Sequence, residues 1–174
     1  MKYFSGKGDQ GESRLISGGK ITKGEPIFRL LGAIDELNSF IGLAICEIQN
    51  KKLILDLQKI QKYFSTIMGY IAGMGFSDQD HKELLNFVNW LENEIDQIGQ
   101  KLEPSTGFTF PGINKAGARF DVCRTIARRV ERIAVSTEVD SSFPVTDFFR
   151  FFNRISSYFF VLRLFFEQKS NSKK

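Results

Sequence analysis

A chain of 174 residues is long enough for one domain with a sizeable core. Its 42% apolar content is ordinary for a globular protein, and a net charge of +4 without a basic-aromatic motif or recognition-helix signature argues against nucleic-acid binding. No uncharged apolar run approaches the ~20 residues of a membrane span, because the stretch from Phe148 to Phe166 carries Arg150, Asn153, Arg154 and Arg163.

Residues 1–26 are rich in Gly, Ser and Lys and read as an irregular arm without strands. The start, Met1-Lys2-Tyr3-Phe4-Ser5-Gly6, lacks the apolar centre of a signal peptide. Within the arm, Gly6-Lys7-Gly8-Asp9-Gln10-Gly11 matches G-x-G-x-x-G, but no strand precedes it and no βαβ unit follows. The spacing still lets backbone N–H groups converge on an anion, with Lys7, Ser5 and Ser13 as further donors. A plain flexible arm is the competing reading.

Helical periodicity begins near Phe28 and runs to Gln49, on Leu30, Leu31, Ile34, Leu37, Ile41, Ala44, Ile45 and Ile48. Gly32 in that helix costs roughly 1 kcal/mol against Ala, which points to close packing or a ligand there. Asp35 is placed to pair with an arginine, within the chain or across an interface. A second helix spans about 52–71 on Leu53, Leu57, Ile60, Phe64, Ile67 and Ile71. Gly73, Gly75 and Ser77-Asp78 make a turn and an N-cap for a third helix over 80–99. Residues 100–113 form the longest internal loop, bounded by Pro104 and Pro111-Gly112. Its Phe108 and Phe110 either anchor it by burial or offer an aromatic face to a planar ligand. Cys46 and Cys123 have no metal-ligand spacing, and His81 is the lone histidine; two buried reduced thiols suit a cytoplasmic protein.

The fourth helix, 114–137, holds the most informative segment, Cys123 to Arg132. At about 3.6 residues per turn, Arg124, Arg128, Glu131 and Arg132 share an arc of roughly 100°. Val122, Ile126, Val130 and Ile133 fall opposite, as a core-facing stripe. Three guanidinium forks beside one carboxylate suit a polyphosphate; the competing reading is a solvated face with Glu131 paired to Arg128 or Arg132. The fifth helix, 145–168, follows Pro144 and is apolar almost all round. A helix like that is either central or covered by another subunit, and patch size favours a homo-oligomer. Asn153 and Arg154 interrupt it, as a satisfied core amide or as ligand contacts. The expected fold is therefore all-α: a five-helix bundle over 27–168 with a glycine-rich arm at 1–26 and a frayed tail at 169–174.

These pieces in this order resemble the PduO-type corrinoid adenosyltransferases, or ATP:cob(I)alamin adenosyltransferases. The segments are Ser5 to Gly11, Gly32-Ala33-Ile34-Asp35-Glu36-Leu37-Asn38, Phe108-Thr109-Phe110-Pro111-Gly112, Arg124 to Arg132, and Phe152-Asn153-Arg154-Ile155-Ser156. The resemblance implies a homotrimer with active sites between subunits. It implies that the arm wraps the triphosphate through Ser5, Gly6, Lys7, Gly8, Ser13 and Lys23, with Arg128, Glu131, Arg132 and Asn153 as further ATP contacts. It pairs Arg124 with Asp35 across subunits and makes Phe108 the residue that displaces the corrinoid's lower axial ligand. Cob(I)alamin would attack the 5′-carbon of ATP and triphosphate would leave, helped by arginines and Mg²⁺; positioning then matters more than a base. No metal ligand is assigned. An adenosylcobalamin-dependent enzyme would accept the product. Four positions depart from the family pattern: Lys7 is shifted by one place, Ile113 replaces glycine, Asp121 stands where histidine is common, and Ser157 where aspartate is common. They motivate the alternative of a non-catalytic ATP- or cobalamin-binding and delivery protein. A plain structural bundle is the third reading.

Overall fold

Pro26 opens the first helix, α1 (Pro26–Ile45), at a position where its missing N–H costs nothing. Asn50 caps α2 (Lys51–Ile71) by accepting from the Leu53 N–H at 3.1 Å. Three further helices follow: α3 (Asp78–Gly99), α4 (Lys115–Val135) and α5 (Val145–Asn171). The computed structural model describes residues 3–6, 8–104, 107, 109–137 and 144–171. The architecture is the expected five-helix bundle, with α5 running to Asn171 rather than ending near Gln168.

The arm departs from expectation. It contains a hairpin of β1 (Glu12–Arg14) and β2 (Lys20–Thr22), antiparallel, with Ser13 opposite Ile21. Gly18 takes the left-handed conformation in the turn, at φ +95°, which glycine adopts without penalty. The tip docks on the end of α2, where the Ile16 N–H donates to the Ala72 carbonyl at 2.8 Å. Each strand is three residues long and mostly polar, so no hydrophobic alternation announces it.

Helix α5 is central within the chain. Phe151 meets Phe64 of α2 and Phe87 of α3 edge-on, at centroid distances of 6.1 and 5.7 Å. Phe120 of α4 stacks on Phe159 at 6.3 Å. Phe148, Phe151, Phe152, Ile155, Tyr158, Phe159 and Leu162 are all buried. Three neighbouring helices thus supply the cover that an all-round apolar helix requires, and the argument for an oligomer from α5 alone falls away.

The core face of α4 is rotated from the expected stripe. Of the expected stripe, Ile126 and Val130 are buried, together with Ala116, Phe120, Cys123, Ala127 and Ala134, whereas Val122 is 38% exposed and Ile133 only half-buried. The reason is that α4 packs against both α1 and α5, and its small side chains let two helices approach. Cys123 is buried, and desolvation pushes its thiol up to about 12, leaving it unreactive. Cys46, expected to be buried, is exposed at the C-cap of α1.

Ser77 forms a full capping box on α3: it accepts from the Asp80 N–H, and the Asp80 carboxylate accepts from the Ser77 N–H at 2.8 Å. Ser77 and Tyr70 hydroxyls also donate to Asp80, and these bonds hold its carboxyl below the usual carboxylate range. A depressed folded-state pKa adds stability above the unfolded value and loses it as pH falls through the folded one. Ser77→Ala is expected to cost about 1 kcal/mol at neutral pH. Urea unfolding at pH 7 and at successively lower pH checks this: the deficit shrinks as pH falls through the depressed value at which folded Asp80 protonates.

Candidate functional site

The site is built from α4 outward. With Cys123, Ala127 and Val130 committed to the core, the helix periodicity places Arg128 and Arg132 on the outer surface, one turn apart. Neither guanidinium makes an ion pair or hydrogen bond among the described residues. The arginines between and beside them are engaged. Arg129 pairs with Glu36 of α1, and Arg124 donates from Nε to Asp121 Oδ1 at 2.9 Å. Glu131 does not pair with a neighbouring arginine. Its Oε1 accepts from Asn153 Nδ2 of α5 at 3.3 Å, and the pairing with Arg128 or Arg132 of the competing reading does not form among the described residues.

Asn153 is therefore neither a bare core amide nor an isolated polar group. Its Oδ1 accepts from Arg154 Nη1 at 2.7 Å. Arg154 Nε donates to Glu92 of α3 at 2.7 Å, and Arg150 Nη2 reaches both oxygens of the same carboxylate at 3.0 Å. The two guanidiniums, Arg154 foremost, hold the Glu92 carboxyl below its ordinary range against the opposing effect of burial. A rigid ionic frame on α3 and α5 thus orients the amide that meets Glu131. Sequence reading singled out Asn153 and Arg154 but missed Glu92, since no helical spacing links residues 62 positions apart.

The glycine-rich arm makes a second surface. Ser5, Gly8, Glu12, Ser13, Arg14, Lys20 and Lys23 line a cavity of about 740 Å³. Lys23 Nζ donates to the Gly8 carbonyl at 2.8 Å, closing the loop on itself. A Cβ at position 8 would lie 2.8 Å from that Nζ, so a side chain there would push the lysine end aside. Gly6 and Gly11 both hold positive φ, at +69° and +76°. Four of the arm residues singled out in sequence, Ser5, Gly8, Ser13 and Lys23, converge here; Lys7 lies outside the described residues, and Gly6 forms the adjoining turn. Among the described residues, no α4 residue lines this cavity.

Asp35 is exposed on α1, and Arg124 pairs with Asp121 instead of with it. Gly32 is exposed as well, and a Cβ there would meet nothing within 4 Å, so close packing within the chain does not explain it. Gly32 and Asp35 border an open groove of about 570 Å³ with Ile16, Phe28, Leu31 and Met74. On the long loop, Phe108 lies outside the described residues, and Phe110 is 76% exposed rather than buried as an anchor. Asp121 and Ser157 turn inward: Asp121 is buried, and the Ser157 hydroxyl donates to the Asn153 carbonyl at 3.2 Å.

Comparison with known proteins gives a consistent set of likenesses. The family model described as cobalamin adenosyltransferase matches residues 3–166. A corrinoid adenosyltransferase of Bacillus subtilis (strain 168) is 34% identical over 165 residues, covering 92% of this chain and 84% of that protein. The corrinoid adenosyltransferase MMAB of Bos taurus is 30% identical over 178 residues, covering 98% and 73%. A variant PduO-type ATP:corrinoid adenosyltransferase from Lactobacillus reuteri, solved with cobalamin and ATP, superposes with a TM-score of 0.81 at 26% identity. That likeness covers 96% of this chain and 91% of the other.

Proposed function

The chain belongs to the cobalamin adenosyltransferase family, and from that premise we propose how its own residues divide the work of moving the adenosyl group of ATP onto a corrinoid. It is an ATP:corrinoid adenosyltransferase. The observation that carries the assignment of roles is the pair Arg128 and Arg132, two guanidiniums without a partner among the described residues, flanking the Glu131–Asn153 contact. An arginine that folding leaves without a carboxylate is free to take phosphate oxygens.

Arg128 and Arg132 grip the triphosphate and stabilise the charge that develops as it leaves. Asn153, oriented by Arg154, and Glu131 fix the rest of the nucleotide, so that its 5′-carbon is presented in line to the corrinoid's reduced cobalt. Ser5, Gly6, Lys7, Gly8, Ser13 and Lys23 close over the phosphates from the arm. Phe108 and the exposed Phe110 line the corrinoid side, where an apolar wall excludes water and a lower axial ligand. That no α4 residue lines the arm cavity supports a homotrimer in which the arm of one copy closes over the arginine face of the next. The open groove beside Gly32 and Asp35 is the surface a neighbour would cover, and Asp35 would then reach a neighbour's Arg124.

Mg²⁺ enters with the nucleotide. Among the described residues no three His, Cys, Asp or Glu side chains cluster as a metal site, which suits an ion held by phosphate oxygens and water. No helix among the described residues is long and apolar enough to cross a membrane; with two free thiols, the protein works in the reducing cytoplasm. The adenosylated corrinoid passes to an enzyme that depends on it.

Mixing the protein with MgATP and chemically reduced cobalamin is expected to produce the adenosylcobalamin spectrum at a rate proportional to protein. Tight ATP binding without that spectrum would instead establish the binding and delivery reading. Light scattering on the same sample is expected to return three times the 19.9 kDa chain mass.

A further inference from the structure

Phe110 and Ile113 of the long loop are exposed, at 76% and 50%. The described part of the loop is tied to the last turns of α5. Arg163 Nη2 donates to the Thr109 carbonyl at 2.8 Å and to Thr109 Oγ1 at 3.2 Å. Glu167 Oε1 accepts from the Gly112 N–H at 3.3 Å.

Arg163 and Glu167 are each only 3% exposed. Arg163 Nε bonds Glu167 at 3.1 Å, and its Nη1 bonds Asp121 Oδ1 of α4 at 3.2 Å. The same Asp121 oxygen accepts Arg124 Nε at 2.9 Å. Two guanidiniums and two carboxylates therefore balance in one cluster, each charge satisfied by a neighbour. Gly117 makes room for it, since a Cβ there would lie 2.8 Å from Glu167 Cγ. Asp121, which as a departure from the family pattern had no evident purpose, is the bridge between Arg124 and Arg163.

From this geometry we infer that Arg163, with Asp121 and Glu167, is a positioning residue that clamps the Thr109–Gly112 loop and ties its place to that of Arg124. The inference rests on the reading of that loop as the corrinoid side. Loop and helix are then set together: release of the loop removes the cation that shares Asp121 with Arg124. Asp121 then draws Arg124 inward, away from a bound nucleotide or a neighbouring subunit. Corrinoid capture should suffer first, and ATP binding by the unpartnered Arg128 and Arg132 should not.

Arg163→Met keeps the length of the side chain and removes its donors. It is expected to raise the KM for cobalamin at least tenfold while the KM for ATP stays within threefold. Chymotrypsin cleavage of the Phe108–Thr109 bond in the native protein should accelerate by a similar factor. Arg163→Lys, which keeps the charge but not the fork, should recover part of both effects. Unchanged loop cleavage and cobalamin KM in a folded Arg163→Met protein would overturn the clamp. So would parallel rises in both KM values that track a loss of melting temperature. If Arg163→Met does not fold, the isosteric Asp121→Asn, which keeps the acceptor oxygen without its charge, answers the same question by loop cleavage. Failure of the wild type to make adenosylcobalamin would sink the catalytic reading, and the cleavage rates would still decide the clamp.

Discussion

Arg128→Ala is expected to lower kcat/KM for ATP by about two to three orders of magnitude without unfolding the protein. The guanidinium touches no partner among the described residues, so its removal leaves no orphaned carboxylate and should change stability by no more than ~0.5 kcal/mol. What is lost is a grip on the triphosphate and, in the transition state, the stabilisation of charge as it departs. Arg128→Lys should restore a fraction of the rate, because an ammonium supplies charge but not a planar pair of donors. Arg129→Ala, one residue along, is the control. Its partner is Glu36 on the exposed flank of α1, so it should cost up to about 1 kcal/mol of stability and leave turnover unchanged. Steady-state kinetics with thermal melts for the three variants provide the check. Equal activity losses at Arg128 and Arg129 would show that α4 presents a different face to the nucleotide.

Phe152→Ala is expected to destabilise the chain by about 3–5 kcal/mol, a melting shift of roughly 10 °C. Phe152 is fully buried, lies 5.8 Å from the ring of Phe64 and meets Phe148 and Phe151 edge-on at 4.9 and 5.0 Å. Its neighbours on α2 and α5 are backed by further core residues, so the cavity cannot collapse cheaply. Phe160, on the same helix but 41% exposed, should cost under about 1 kcal/mol when cut to alanine, if its outer face meets only solvent. Unfolding in urea, followed by circular dichroism, compares them. Similar losses at the two positions would mean that a second copy covers the outer face of α5.

The contrast between these two phenylalanines marks a limit of reading along the chain. Both sit in one apolar run, and neither spacing nor residue type tells them apart. Their difference comes from α2, α3 and α4 arriving on three sides. The same limit explains the rotated face of α4. Large β-branched residues suggested Val122 and Ile133 as core, but the packed seam follows Cys123, Ala127 and Ala134, whose small size admits α1 and α5 together. The hairpin at Glu12–Arg14 and Lys20–Thr22 went unread because its strands are short and polar and are held mainly by backbone bonds and by docking on Ala72.

Local chemistry was enough for a good deal. Periodicity located all five helices, Ser77 was legible as an N-cap, and the arginine spacing on α4 left a phosphate ligand and a solvated face as alternatives, because each of these depends on residues within a turn or two of one another. Which arginines would be left unpartnered was settled elsewhere. Asp121 and Glu36 claim Arg124 and Arg129, Glu92 claims Arg150 and Arg154, and Arg163 is drawn inward to Asp121 and Glu167. Arg124 and Arg163 each find one carboxylate about a turn away on the same helix, Asp121 and Glu167; Glu36, Glu92 and the Asp121 that meets Arg163 come from other helices. An ion pair forms where packing brings charges within reach, whatever their separation along the chain. Sequence spacing could assemble the charges, but packing alone chose which of them stay free to bind.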